Sequence, residues 1–170
     1  PKIPGLFLLT APARPHGRPV TEIQMADLLR EVRRRFDFCL LDAPAGLGRG
    51  FQLATCAADR CVVVTTADAS SLRDAQHTVM ELDRFPSGAL HLVVNRVRKK
   101  LLRQLHATID DAIDKAGLPL LGVVPEDDAL PLCMNRGVPI LLADGQSAAT
   151  AYRNIAKRLQ GERVPLLRIR

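Results

Sequence analysis

Short apolar runs alternate with longer amphipathic stretches along the whole chain. The runs LFLLTA (6–11), FDFCLLD (36–42), RCVVVTT (60–66), LHLVVN (90–95), LPLLGVVP (118–125) and VPILLA (138–143) predict strands. They are close to uniformly apolar, so each strand is expected to be buried on both faces. The stretches between them read as helices. TEIQMADLLREVRRR (21–35) sets Ile23, Ala26, Leu29 and Val32 near one face, with Thr21 as N-cap. SSLRDAQHTVMELDRF (70–85) has Ser71 and Asp74 at capping-box spacing. KLLRQLHATIDDAIDKAG (100–117) ends on Gly117, which suits a left-handed cap. SAATAYRNIAKRLQG (147–161) turns Tyr152, Ile155, Ala156 and Leu159 inward, and a short helix is expected between the last two strands.

Strands interleaved with helices imply an α/β fold: a doubly wound, mostly parallel sheet with helices on both faces, built as one domain over residues 1–170. Such a sheet binds ligands beyond the carboxyl ends of its strands. Attention therefore falls on the residues that finish each strand: Asp42, Thr65 and Thr66, Asn95 and Arg96, and Pro125, Glu126 and Asp127.

Composition changes this picture little. Hydrophobic residues make up 47% of the 170 and aromatic ones only 4%, so the core must be aliphatic. The 24 basic against 18 acidic residues leave a net charge of +6. The arginines are spread along the chain, and the run Arg33-Arg34-Arg35 ends a predicted helix, where cations are favoured regardless of function. There is no basic stripe interleaved with aromatics, so nucleic acid is not the expected partner. Cys39, Cys56, Cys61 and Cys133 form no Cys-x-x-Cys pair and have no histidine at zinc spacing. They read as structural thiols of a reducing cytoplasm. No apolar run is long enough to span a bilayer, and no signal peptide is visible. The chain opens with Pro1 directly before a predicted core strand, so its first residue is not expected to be the natural start.

Several strand ends carry candidate chemistry. Asp42 leads into APAGLG, where flexible glycines and backbone N–H groups suit a terminal phosphate and the carboxylate suits a Mg²⁺-bound water. An Asx turn closing the strand needs the same residues. Asn95 offers an amide with donor and acceptor for a base edge, and Arg96 a guanidinium that stacks or binds phosphate. A polar strand end running into RVRKK reads the same way. VPEDDAL (124–130) has the residue types of a helix start, and TTADASSLRDA (65–75) either caps a helix or forms a polar wall.

In order and spacing, FDFCLLDAPAGLGRGF, ADRCVVVTTADASSLRDA, LVVNRVR, GLPLLGVVPEDDAL and NRGVPILL resemble the MinD group of the MinD/ParA deviant Walker P-loop ATPases. The opening IPGLFLLTAPA is similar to the strand and loop before that group's Walker B helix, so the resemblance covers essentially the whole chain. It implies the P-loop NTPase fold, with Asp42 as the Walker B residue that orients Mg²⁺-bound water and Gly46 in switch II near the γ-phosphate. Asn95 and Arg96 would bind the adenine of ATP, helped by Pro125, Glu126 and Asp127. It also implies a switch that dimerises on ATP, joins the inner membrane from the cytoplasm, meets MinC-like and MinE-like regulators and places the division septum.

Two expected parts are not in this sequence. The group's first strand and its KGGVGKT-type phosphate loop have no counterpart, since G-x-x-x-x-G-K-[ST] occurs nowhere, and no switch I aspartate is found. The chain thus matches the C-terminal two-thirds of such a protein, and on its own it is not expected to hydrolyse ATP. VPLLRIR is too short for the amphipathic membrane helix of the group. Two other readings stay open: a non-catalytic protein that keeps partner and dimer surfaces, and a ParA-like or flagellar-placement relative.

Overall fold

The computed structural model describes residues 3–10, 19–86, 88–104, 108–143 and 147–167, in two compact units, 1–58 and 59–170. In the first unit helix α1 (Glu22–Arg33) begins as its sequence predicts. Gln24 N–H donates to the Thr21 hydroxyl (3.3 Å) and Thr21 N–H to the Gln24 amide oxygen (3.0 Å), closing a reciprocal box. The predicted apolar face is only half realised. Ala26, Leu29 and Val32 are half-buried, whereas Ile23 is exposed. A helix the sequence reading left out, α2 (Arg49–Thr55), follows the glycine-rich turn. It is tied to the segment before α1 by the Arg49 guanidinium, which donates to Val20 O at 2.7 Å.

The strands predicted over 6–11 and 36–42 are not formed; Ala11 lies outside the described residues. Leu8 is 89% exposed and Leu40 86%. The reason is pairing. A strand is stable only when its N–H and C=O groups meet a neighbour, and no ladder partner stands beside either segment among the described residues. Instead Phe7 and Phe36 make an edge-to-face contact with centroids 5.3 Å apart. Cys39, expected to be a buried structural thiol, is exposed for the same reason.

The second unit holds a parallel sheet in the order β1 (Cys61–Thr65), β2 (Leu90–Val97), β3 (Leu120–Pro125). Helix α3 (Ala69–Met80) joins β1 to β2. The helix predicted over 100–117 is two helices, α4 (Lys99–Gln104) and α5 (Ile109–Ala116), with 105–107 outside the described residues. Thr108 and Asp111 form a second reciprocal capping box that starts α5 anew, and Gly117 ends it at φ 66°. Helices α6 (Ala129–Asn135) and α7 (Ser147–Leu159) follow β3.

The predicted strand 138–143 is instead a 3₁₀ turn, Ile140–Leu142. Pro139 lacks the N–H that a ladder needs, and the turn sends Ile140 into the core. Helix α3 ends at Met80 rather than 85, and its cap is Asp68, not Ser71.

The core is aliphatic. Val93, Leu121, Val124 and Ile140 pack with Ala148, Ala149 and Ala151 of α7, and Ile155 lies so close over Gly122 that a Cβ there would collide with it. The inner face of α7 is thus built on small residues. Ala156, expected to face inward, is exposed, while Tyr152, Ile155 and Leu159 flank the cluster. Leu92 and Val94 are fully buried and point to the opposite side of the sheet, where α3 and α5 pack. Strand β1 departs from the expectation of two covered faces: Val63 and Thr65 are buried, but Val62 is 37% and Val64 60% exposed. Burial raises the Cys61 thiol pKa, with Arg84 pulling against it.

Beyond α7 the chain returns along the sheet. The Arg158 guanidinium donates to Val164 O at 2.6 and 2.8 Å and to Leu120 O at 3.3 Å, which fixes the 162–167 segment beside β3.

Candidate functional site

In the second unit the carboxyl ends of β2 and β3 lie side by side. Val94 pairs with Val123 and Val97 with Pro125, so two residues, Asn95 and Arg96, stand opposite Val124 alone. That is a β-bulge, the device that re-aims side chains next to functional sites. Arg96 takes φ 53°, the one positive φ outside glycine among the described residues. A left-handed arginine costs about 1 kcal/mol or more, which its surroundings must offset. They do so twice. The Arg96 N–H donates to the Asn95 side-chain oxygen at 3.0 Å, and its guanidinium donates to Glu126 at 3.2 Å.

Glu126 anchors the cluster. Its N–H donates to Val97 O at 3.1 Å, which ties the residue after β3 to the end of β2. Arg98 reaches the same oxygen, Oε1, at 3.2 Å. Glu126 is thus gripped by two guanidiniums, and their hydrogen bonds and charge, Arg96 first, lower its pKa. Both arginines are largely exposed, so each pair alone is weak. The arrangement leaves one positive charge over. Of the strand-end residues the sequence points to, Arg96 and Glu126 are in contact, while Arg98 reads in the sequence as part of a solvated run. The i, i+2 spacing of Arg96 and Arg98 was the available signal.

Asp127 has a different position from its neighbour. One carboxylate oxygen accepts from Ala129 N–H at 3.1 Å; the other accepts from Ala148 N–H at 3.1 Å and the Ser147 hydroxyl at 3.2 Å. These bonds, led by Ala148, lower its pKa against the opposing effect of burial. Asp127 therefore caps the start of α7. Pro125 ends β3, half-buried.

At the end of β1, Asp68 caps α3. It accepts from Ser71 N–H at 3.0 Å and from the Thr66 hydroxyl at 2.5 Å, and Thr66 shares a further 2.8 Å bond with the Ser71 hydroxyl. These bonds, Thr66 first, take its carboxyl down to about 2. Of the two sequence readings of 65–75, helix capping accounts for these contacts.

Asp42 and Gly46 belong to the first unit. Asp42 is exposed in the irregular segment before α2. Gly46 takes φ 84°, a conformation that only glycine adopts without strain. Gly50 packs so tightly on Pro44 that no Cβ fits, which folds the turn back on the first residues of α2. No group of three or more candidate metal ligands occurs among the described residues, and no helix there is long and apolar enough to cross a membrane. A Mg²⁺ ion at Asp42 would be held by one carboxylate through water, a coordination that suits Mg²⁺ with a nucleotide's phosphates.

The chain is similar to known proteins along most of its length. A family model described as cellulose biosynthesis protein BcsQ matches residues 14–159. The septum site-determining protein MinD of Synechocystis sp. is 32% identical over 169 residues, covering 98% of this chain and 63% of the relative. MinD of Bacillus subtilis is 35% identical over 163 residues, covering 95% and 61%. Among solved structures, the MinC:MinD cell division protein complex of Aquifex aeolicus is similar with a TM-score of 0.82 at 29% identity, over 88% of this chain and 63% of that one. The chain spans about three-fifths of the length of the curated relatives it matches.

Proposed function

This chain belongs to the MinD/ParA family of ATPases, and from that premise we propose that it forms the base-binding and partner-facing part of a MinD-like, ATP-dependent switch that places the division septum. The observation that carries the reading is the bulge at Asn95 and Arg96 set against Glu126. It brings an amide and a guanidinium to the carboxyl end of a parallel sheet, where such folds take their ligands. Asn95 would pair with the adenine edge, with Arg96 and Pro125 beside it. Asp127 acts from behind by holding the start of α7.

The 170 residues contribute to one ATPase domain. Asp42 would hold Mg²⁺ through water and Gly46 would let the backbone approach the γ-phosphate of ATP, the group whose presence or loss such a switch reads. The sequence carries no phosphate loop, so hydrolysis is not a property of this chain alone. The switch acts as an ATP-bound homodimer in the cytoplasm and at the inner membrane. A MinC-like regulator is the partner suggested by the Aquifex complex, and a MinE-like one follows from the family resemblance. The BcsQ description of the matching family model favours a second reading, a ParA-like relative that positions a different cargo with the same nucleotide site.

The experiment joins the phosphate-loop segment of the Bacillus subtilis relative ahead of Pro1. Mg²⁺-dependent ATP hydrolysis by the joined protein, largely lost in its Asp42→Asn variant, supports the reading. Hydrolysis at the same rate in the variant removes Asp42 from the site.

A further inference from the structure

Strand β1 is an outer strand of the sheet, and no strand pairs with its second edge among the described residues. We propose that this edge joins two copies of the chain. β1 of one copy adds antiparallel to β1 of the other, across a twofold axis between the two Val63 residues. The contact needs no nucleotide and is separate from the ATP-bound homodimer of the proposed function.

The backbone sets the bonding. Cys61 N–H donates to Ala89 O at 2.9 Å, on the side of β2. Along a parallel strand the N–H and C=O groups of successive residues turn to opposite edges. Cys61, Val63 and Thr65 therefore bond to β2, and the N–H and C=O groups of Val62 and Val64 face the open edge. Such a row of unpaired groups is a template for another strand. Soluble proteins blunt it with a lysine, a proline or a bulge. The sequence CVVVT has no charge and no proline, and its register with β2 runs unbroken.

The side chains choose the occupant. Val63 and Thr65 are buried on one face of β1, whereas Val62 and Val64 are exposed on the other. With Val63 opposite Val63, Val62 of one copy stands opposite Val64 of its partner. These are the residues whose backbone groups face the edge, so each such pair exchanges both N–H···O bonds, and the twofold makes the pair twice. The exposed valines of both copies then fall on one face and close into a single apolar row of β-branched neighbours. A slip of one residue would set exposed valines against the buried set. No charge stands on the five residues for an acidic or basic partner to recognise, whereas the edge matches its own reverse.

The test is sedimentation of this chain without nucleotide. The average mass should rise toward that of a dimer with protein concentration, and added ATP should not change it. Val64→Pro deletes an outward N–H and no bond to β2. It should weaken association about tenfold or more while the Cys61 and Val63 N–H groups stay protected from hydrogen exchange. Val64→Lys, which leaves the backbone intact and puts charge into the valine row, should weaken it as well. Val63→Cys creates a pair that is not hydrogen-bonded, with Cα atoms about 4.5 Å apart, and should oxidise to a dimer bridged from position 63 to position 63. Val62→Cys should not bridge to itself. A monomer at every concentration, association that both position-64 variants leave unchanged, or a bridge at position 62 in place of 63 overturns the proposal. So does protection of the Val62 and Val64 N–H groups that is independent of concentration, since a segment of the same chain would then fill the edge.

Discussion

The carboxylate of Asp127 accepts the backbone N–H of Ala148 at 3.1 Å, joining the loop after β3 to the first turn of a helix 21 positions further on. This contact and the one from Ser147 put a negative group at the positive end of α7 and satisfy a donor that the helix cannot. Asp127→Ala should therefore destabilise the second unit by about 1 kcal/mol, the usual worth of an N-terminal cap. A urea melt measures it. A melt that does not move would show that this cap contributes nothing to stability.

Asp68 makes a pH prediction. Its carboxyl lies at about 2, below the ordinary 3.8, because it accepts bonds from Thr66 and Ser71. A group depressed in the folded state contributes stability that is present above about 3.8 and lost as pH falls toward 2. Asp68→Asn should flatten the loss of stability in that window and leave the region above pH 5 with a constant offset, read from thermal melts at stepped pH. An unchanged acid limb would show that the carboxylate gains nothing on folding.

Arg158 should matter through its fork. It donates twice to Val164 O, which a lysine ammonium cannot copy with the same planar geometry. Arg158→Lys is expected to raise hydrogen exchange along 162–167 while leaving β2 protected. Equal protection in both proteins would assign the hold on this segment to Leu167 packing instead.

Much of this was legible in the sequence, and the failures share causes. β1, β2 and β3 and the caps at Thr21 and Gly117 follow from local chemistry: apolar β-formers, a reciprocal box, a glycine that takes positive φ. The runs 6–11 and 36–42 have the same composition but no neighbour to pair with, and pairing is not a property of a run by itself. The site was half visible. Asn95, Arg96 and Glu126 could be named because they end strands, but the bulge is a count of residues between two ladder pairs, known only when both strands are placed. That Asp127 caps α7 depends on Ala148, far along the chain, which no local pattern shows. Asp68 lost the cap to Ser71 in the sequence reading because both residue types suit the position, and three-dimensional reach decided between them.

Catalysis by this chain alone gives a further expectation. With no phosphate loop in the sequence, it should show no ATP hydrolysis above background at saturating ATP and Mg²⁺. Turnover at the rate of the MinD relatives would mean that a different set of groups cradles the phosphates.

The central claim is that the ends of β2 and β3 hold an adenine base, and one measurement addresses it without the phosphate groups. AMP is titrated into the isotope-labelled chain and backbone shifts are mapped. The account predicts saturable changes concentrated at Asn95–Arg98 and Pro125–Asp127, smaller with GMP at equal concentration. An absence of saturable change at those residues, or changes concentrated at α1 and α2 instead, would contradict it.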